Sequence, residues 1–318
     1  MALTLVESAK LSQNDLQRGV IETFVLESVV LDRIPFMDIQ GNAYAYNEEA
    51  TLPGVEFRAV NAAYVESTGT VNQKTETLVI LGGDADVDRF IQQTRGNLND
   101  QRAIQTRLKI KAANYKFQDA FVNGDVAVDA NSFDGLKKRL VGAQVIDAGT
   151  NGLGILGAND NDRYAFLDKL DEAIAAVPGI GPGNGAIYMN AYALQKVRSS
   201  ARRLAIHDQT TDDFGKQISL YQGIPLLNIG NKGDGSMIIP QTETQGTAAG
   251  TSSSIYVVRF GEDETDRAVT GITNGGIDVR DLGELETKPV WRTRLEFFCG
   301  VAVFGGKGAA RLRGVLNS

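Results

Sequence analysis

Val55-Glu-Phe-Arg-Ala59, Tyr64-Val-Glu66, Ser67-Thr-Gly-Thr70 and Thr77-Leu-Val-Ile-Leu81 decide how this chain is read. Val55, Phe57 and Ala59 alternate with Glu56 and Arg58, which is the period of two expected of a strand. From Ile39 to Leu81 the pattern predicts a β-hairpin of about forty residues whose apolar side chains are too few for a core of their own. Such an arm has to lie on something else. Glu56 and Arg58, on the face opposite the apolar positions, are candidates for that contact.

Beyond Gly82-Gly83 the pattern turns helical. Val87, Ile91, Leu98, Ile104, Leu108 and Tyr115 carry the apolar spacing, and no proline intervenes before Phe121. One helix opened by Asp84, Asp86 and Asp88 is expected, about 36 residues and ~54 Å long. That matches the whole diameter of a compact chain of this size, so the molecule should be flattened or elongated. Three acids in a first turn suit the positive end of the helix dipole. They also match the first ligand positions of an EF-hand, but Arg89 replaces the required Gly and Arg95 the required Glu, so calcium is not expected.

Between residues 89 and 116, Arg89, Arg95, Arg102, Arg107, Lys109, Lys111 and Lys116 face only Asp100. The helix is a basic rod in an acidic chain. It is either a solvated face or a contact for acidic neighbours, with Arg102 and Arg107 as candidates for the second role.

Upstream, Ser12 can cap a short helix through Leu16, Val20, Ile21, Phe24 and Val25 that ends by Pro35. Downstream, a helix from Asp162 carries Tyr164, Leu167, Leu170, Ile174 and Val177 and stops at Pro178-Gly179. Ala186 to Met189 reads as a buried strand, and Asn190 as the cap of a helix bearing Leu194, Val197, Ala201 and Leu204. Gly223 to Ile229, Ser236 to Pro240 and Ile255 to Phe260 read as strands, with Gln241 to Ser254 a polar loop. Pro289 to Phe304 and Ala309 to Leu316 are strand-like and close the chain.

Composition narrows the function. The 318 residues hold 39 acidic against 32 basic side chains, a net charge of −7, which disfavours a dedicated nucleic-acid reader. No stretch approaches the ~20 apolar residues of a membrane span, and Met-Ala-Leu-Thr-Leu-Val-Glu-Ser lacks the basic region of a secretory signal, so synthesis inside the cell is expected. Cys299 and His207 are the single cysteine and histidine, which excludes an internal disulfide and a Cys/His zinc cluster. Gly152, Gly154 and Gly157 form G-x-G-x-x-G, yet Ala-Asn-Asp-Asn-Asp follows in place of an apolar helix face, so a loop is expected and not a dinucleotide site. His207 beside Asp208 reads as structural or solvated. No catalytic residue, metal or cofactor is assigned.

The order of arm, long hairpin, long basic helix, α/β segment and returning strands resembles the Hong Kong 97 fold of tailed-bacteriophage major capsid proteins. The local texture is similar too: Asp134-Gly-Leu, Tyr164-Ala-Phe-Leu-Asp-Lys-Leu, Ile187-Tyr-Met-Asn-Ala-Tyr-Ala-Leu-Gln-Lys-Val-Arg, Gly223-Ile-Pro-Leu-Leu, Ile255-Tyr-Val-Val-Arg-Phe-Gly and Val290 to Phe304. The resemblance implies an α+β fold with an N-arm over 1–40, an extended E-loop hairpin over 41–81 and a spine helix with the first part of the peripheral domain over 82–150. An axial domain over 151–284 and the rest of the peripheral domain over 285–318 complete it.

That fold implies a structural protein and not an enzyme, one that assembles with itself into pentamers and hexamers. The icosahedral shell would enclose double-stranded DNA without reading its sequence, in a virion capsid assembled in the bacterial host cytoplasm. A portal is an implied partner, and because the chain starts directly at the arm, a separate scaffold protein or prior cleavage is implied as well. Some members join an E-loop lysine to a neighbour's asparagine, and Lys74, the one lysine between Gly41 and Leu108, is the candidate here; the plain alternative is a solvated turn lysine. An encapsulin-type compartment shell resembles the same fold and is the nearest alternative. An α/β enzyme or ligand-binding module on residues 150 to 280 is the alternative from another class.

Overall fold

The computed structural model describes residues 28–95, 101–157, 159–204, 208–211 and 217–316. The helix expected from Ser12 and the lone His207 lie outside the described residues. Strands β1 (Phe36–Asp38), β2 (Ala43–Thr51), β3 (Thr70–Thr77) and β4 (Val79–Asp88) are followed by helices α1 (Arg89–Arg95), α2 (Gln101–Asn123) and α3 (Leu136–Arg139). Next come β5 (Val145–Asp147), β6 (Leu153–Gly154), α4 (Asp160–Ala175), β7 (Gly185–Met189), α5 (Ala191–Arg203), β8 (Asp208–Thr211), β9 (Gln217–Tyr221) and β10 (Ile224–Asn228). The chain ends with β11 (Glu243–Gln245), β12 (Ala248–Arg259), β13 (Val269–Glu284), β14 (Val290–Val303) and β15 (Ala309–Leu316).

Among the described residues the strands form a four-stranded sheet in the order β1-β13-β14-β4 and a larger sheet in the order β5-β15-β12-β7-β10-β9-β8. β2 and β3 pair only with each other. In β14 the residues Leu295, Phe297, Cys299 and Val301 are buried on one face and Arg292, Arg294 and Glu296 lie on the other, the alternation of a sheet with one covered side. β7 is buried at every position, as expected of a strand covered on both faces.

α2 covers one face of both sheets. Its Phe117 ring lies 6.2 Å from Phe297 of the small sheet and its Phe121 ring 6.2 Å from Tyr188 of the large one. One apolar core therefore joins the two sheets through this helix. The opposite face of the large sheet is covered by α4 and α5, through Phe166, Leu170, Ala173, Leu194 and Val197 over Ile187 and Met189. Asn190 caps α5 as its position predicts, its side chain accepting a hydrogen bond from the Ala193 amide at 2.7 Å. α4 starts slightly earlier than expected, with Asn159 and Asp162 closing a capping box.

Four expectations are corrected. The spine does not begin at Asp84: residues 79–88 are a strand paired antiparallel with β14, and α2 alone has 23 residues, about 35 Å at 1.5 Å per residue. Residues 52–69 are not strand; the hairpin ladder ends at Thr51 and Thr70. Ser236 to Pro240 contributes one isolated bridge, Asn231 to Met237, although Ile238 and Ile239 are buried. The polar segment 241–254 is largely paired, as β11 and the start of β12. β13, sixteen residues long, has no counterpart in the sequence reading.

Candidate assembly surface

The hairpin is fixed at its root. Tyr46 of β2 is buried with Ile39, Ile272, Ala302 and Phe304, its ring edge-on to Phe304 at 4.8 Å. Burial pushes its phenol up from the ordinary 10.0, so the hydroxyl stays protonated and donates to Glu76 at 3.4 Å. Arg139, at the end of α3, grips Glu76 through both guanidinium nitrogens at 2.5 and 2.6 Å. Farther out, Tyr44 donates to Glu264 at 2.9 Å and Arg267 pairs with Glu49 at 3.0 Å. Lys74, opposite Tyr46 in the register, is ion-paired with Glu48 at 2.5 Å. It stands on a strand and not in a turn.

Among the described residues the distal half of the hairpin touches only itself. Thr51 and Thr70 share a hydroxyl hydrogen bond of 2.7 Å, Gly54 donates to the Ser67 hydroxyl at 2.8 Å, and Val65 donates to the Glu56 carboxylate at 2.9 Å. Arg58 donates to the Ala62 carbonyl at 3.1 Å and lies 5.1 Å from the Tyr64 ring. The tip is a turn closed by Ala62 on Ala59, with Asn61 in the left-handed region at φ +68°, a conformation Asn tolerates. Side-chain hydrogen bonds thus replace the backbone ladder.

Glu56 Oε1 and Arg58 Nη1 bond within the loop and hold its shape, while both side chains stay exposed. What the loop offers outward is apolar: Leu52, Val55, Phe57, Val60, Tyr64 and Val65 are 66% to 107% exposed. Monomeric proteins rarely leave such a set in water. Each large apolar side chain taken from water into a partner contributes about 1.5–3 kcal/mol. The apolar content was legible in the sequence; that side chains close the loop was not, because Glu56 and Val65 are nine residues apart on a segment that mimics a strand.

Three of the seven basic residues between 89 and 116 are answered by acids outside the helix. Arg102 pairs with Asp281 at 2.7 Å and lies 5.1 Å from the Trp291 ring. Arg89 reaches Glu284 at 3.4 Å and Lys116 reaches Asp129 at 3.9 Å. The counter-charges of the rod sit mainly on β13, the strand the sequence reading lacks. Arg107 is exposed on α2, three residues from exposed Ile104 and next to exposed Leu108. Phe90, Ile91 and Ile80 extend the exposed apolar set onto α1 and β4.

Gly152 adopts φ +84°, where a Cβ would run into Leu316, and the neighbouring β6 pairs with β15. The N-terminus of α4 is filled by Asn159 and Asp162, so the glycines serve packing at a sheet edge and not a pyrophosphate. Asp84, Asp86 and Asp88 lie on β4, and among the described residues no group of His, Cys, Asp or Glu is placed to hold a metal ion. Burial pushes the Cys299 thiol up. A cleft of about 240 Å³ beside Lys137, Glu243 and Arg311 is closed by its own charges: Glu243 accepts from Arg311 at 3.0 Å and from Ser254 at 2.5 Å.

Residues 13–156 match the family described as Major capsid protein GP7. No curated protein sequence matches the chain. Among solved structures, the holo-SrpI encapsulin complex of Synechococcus elongatus PCC 7942 is similar at a TM-score of 0.65 and 17% identity, covering 100% of this chain and 98% of that one. The capsid of a native GTA particle follows at 0.62 and 15% identity, covering 90% and 89%. A chain of Mycobacterium phage Bobi is similar at 0.55 and 15% identity, covering 98% of each. The resemblance in fold drawn from the order of elements holds: the chain shares the Hong Kong 97 type of fold with these shell-forming proteins.

Proposed function

We propose that this chain, a major capsid protein of the Hong Kong 97 fold, closes an icosahedral shell from pentamers and hexamers by laying its hairpin tip over a neighbouring copy. One observation carries the reading: among the described residues the segment 52–69 is shaped by its own hydrogen bonds, is anchored only at its root, and exposes six large apolar side chains. A loop built this way is preorganised for a partner, so binding spends little on ordering it. Repetition of one weak contact around a closed shell supplies the stability that no single contact needs.

The enclosed material is double-stranded DNA, held by containment. A chain of net charge −7 suits that role, since tight phosphate binding requires many cations. A portal and a separate scaffold protein are the partners such a shell uses during assembly. The similarity of the whole chain to an encapsulin supports a second reading, a compartment that encloses proteins. Contents decide between them: nuclease-treated native particles should release double-stranded DNA on opening, and a protein cargo without DNA would overturn the phage reading in favour of the compartment.

A further inference from the structure

α4 and α5 cover the same face of the large sheet but over different strands. α4 packs on β15, β5 and β6, whereas α5 packs on β10, with Arg198 donating to Ser219 of β9 at 2.8 Å. The strand order sets β5 and β15 toward one edge of the sheet and β10 and β9 toward the other. Charge divides along the same line. α4 holds five acids against Arg163 and Lys169, while α5 holds Lys196, Arg198, Arg202 and Arg203 and no acid.

The two bases of α4 are engaged within the helix, Arg163 with Asp160 and Lys169 with Glu172, and Asp171 accepts from Tyr221. The exposed face presents Tyr164, Asp168 and Glu172, the last of these shared with Lys169. On α5 Ala191, Gln195, Arg202 and Arg203 are exposed, with half-exposed Lys196 lying over Tyr192. Cations in a last turn suit the helix dipole. Arg198 and Arg202, however, are like charges four residues apart, an arrangement that works against the helix unless something outside it answers them.

We propose that the answer is a second copy of this chain: the basic stripe of α5 docks on the carboxylate and tyrosine face of α4 of the next subunit. The contact joins two different surfaces, so copies follow one another around a rotation axis and the chain of contacts ends by closing a ring. It rests on the shell reading above and specifies the ring-forming contact. Nucleic acid is the competing partner for a basic helix face, but it would leave the acidic helix unexplained.

The test is a charge swap in the full chain. Arg202→Glu with Arg203→Glu turns the contact acid-on-acid, Asp168→Arg with Glu172→Arg turns it base-on-base, and the four together restore opposite signs. Mass of the rings and shells is followed by light scattering and electron microscopy, with circular dichroism to show that each variant is folded. Each double reversal should weaken association at least tenfold, the quadruple variant should recover it, and wild-type association should weaken as salt screens the contact. Should a reversal fail to fold, Arg202→Gln with Arg203→Gln keeps the test, with weaker association expected. Wild-type association of both reversals would overturn the proposal, as would normal shells that retain less nucleic acid, which would reassign α5 to that partner. A wild-type chain that forms no rings at any concentration contradicts the shell reading itself, and this contact with it.

Discussion

Asp84 of β4 lies directly opposite Arg294 of β14, and its two carboxylate oxygens receive the arginine Nε and Nη2 hydrogens at 2.7 and 2.9 Å. Two residues along, Asp86 stands in the same relation to Arg292, with both bonds at 2.7 Å. The pair of forks staples the spine-bearing strand β4 to the long β14, on the face away from the core. Cross-strand pairs of opposite charge are the sheet's equivalent of a helical ion pair.

These forks set an acid limit on stability. Hydrogen bonds from Arg294 hold Asp84 below the ordinary 3.8, and those from Arg292 do the same for Asp86. A carboxyl whose folded pKa is depressed contributes fully above its unfolded value, and the contribution is lost as pH falls through the window beneath it. Thermal unfolding followed from about pH 6 to about pH 2.5 should therefore show a steep loss below about pH 4. The Asp84→Asn, Asp86→Asn variant should be less stable than wild type near neutrality and show a shallower loss in acid. Parallel acid limbs in the two proteins would contradict this.

Glu76 is the keystone of the hairpin root, since Arg139 and Tyr46 both converge on it. Glu76→Gln leaves the largely buried Arg139 guanidinium without its charge partner, a loss of about 2–3 kcal/mol for charged hydrogen bonds of this burial. The measurement is a denaturant midpoint at unchanged slope. A shift too small to resolve would mean that the root is held by the Tyr46 and Phe304 packing alone.

Asn190 does two jobs at the start of α5. Its oxygen caps the helix, and its amide nitrogen donates to the Ile239 carbonyl at 3.3 Å and the Ser253 hydroxyl at 2.9 Å. Asn190→Ala should cost about 2–3 kcal/mol, the cap plus buried acceptors left without a donor. Asn190→Asp keeps the cap and loses the donors, so its stability should fall between wild type and the alanine variant. Equal stability of Asp and Asn at this position would show that the two donated bonds contribute nothing.

Asn190 also shows what the sequence displays openly. A cap is decided by residues three positions apart, so the reading of Ala186 to Leu204 as strand, cap and helix needed no tertiary information. Asp84, Asp86 and Asp88 show the opposite. Acids spaced by two fit both a helix start and one face of a strand, and the residues that choose, Arg292 and Arg294, lie some two hundred positions away. β13 is hidden for a third reason: register shifts between Thr273 and Ile277 and between Asp281 and Gly283 break its alternation, and a bulged strand has no clean period of two. With β13 unseen, the partners Asp281 and Glu284 were unseen too, and the spine looked more basic than it is. The apolar hairpin tip was visible in sequence because its alternating apolar residues lie within one short segment.

The central claim is that the hairpin tip contributes to neighbours and not to its own subunit. The most direct measurement is the assembled mass of the wild-type chain and of a Val55→Asp, Phe57→Asp variant, by light scattering with electron microscopy of the same samples. Both side chains are fully exposed, so thermal unfolding of the subunit should change little, within the roughly 0.5 kcal/mol usual for surface sites. Closed shells from the wild type and only free subunits or open rings from the folded variant are the predicted result. Closed shells of wild-type size from the variant would contradict the account.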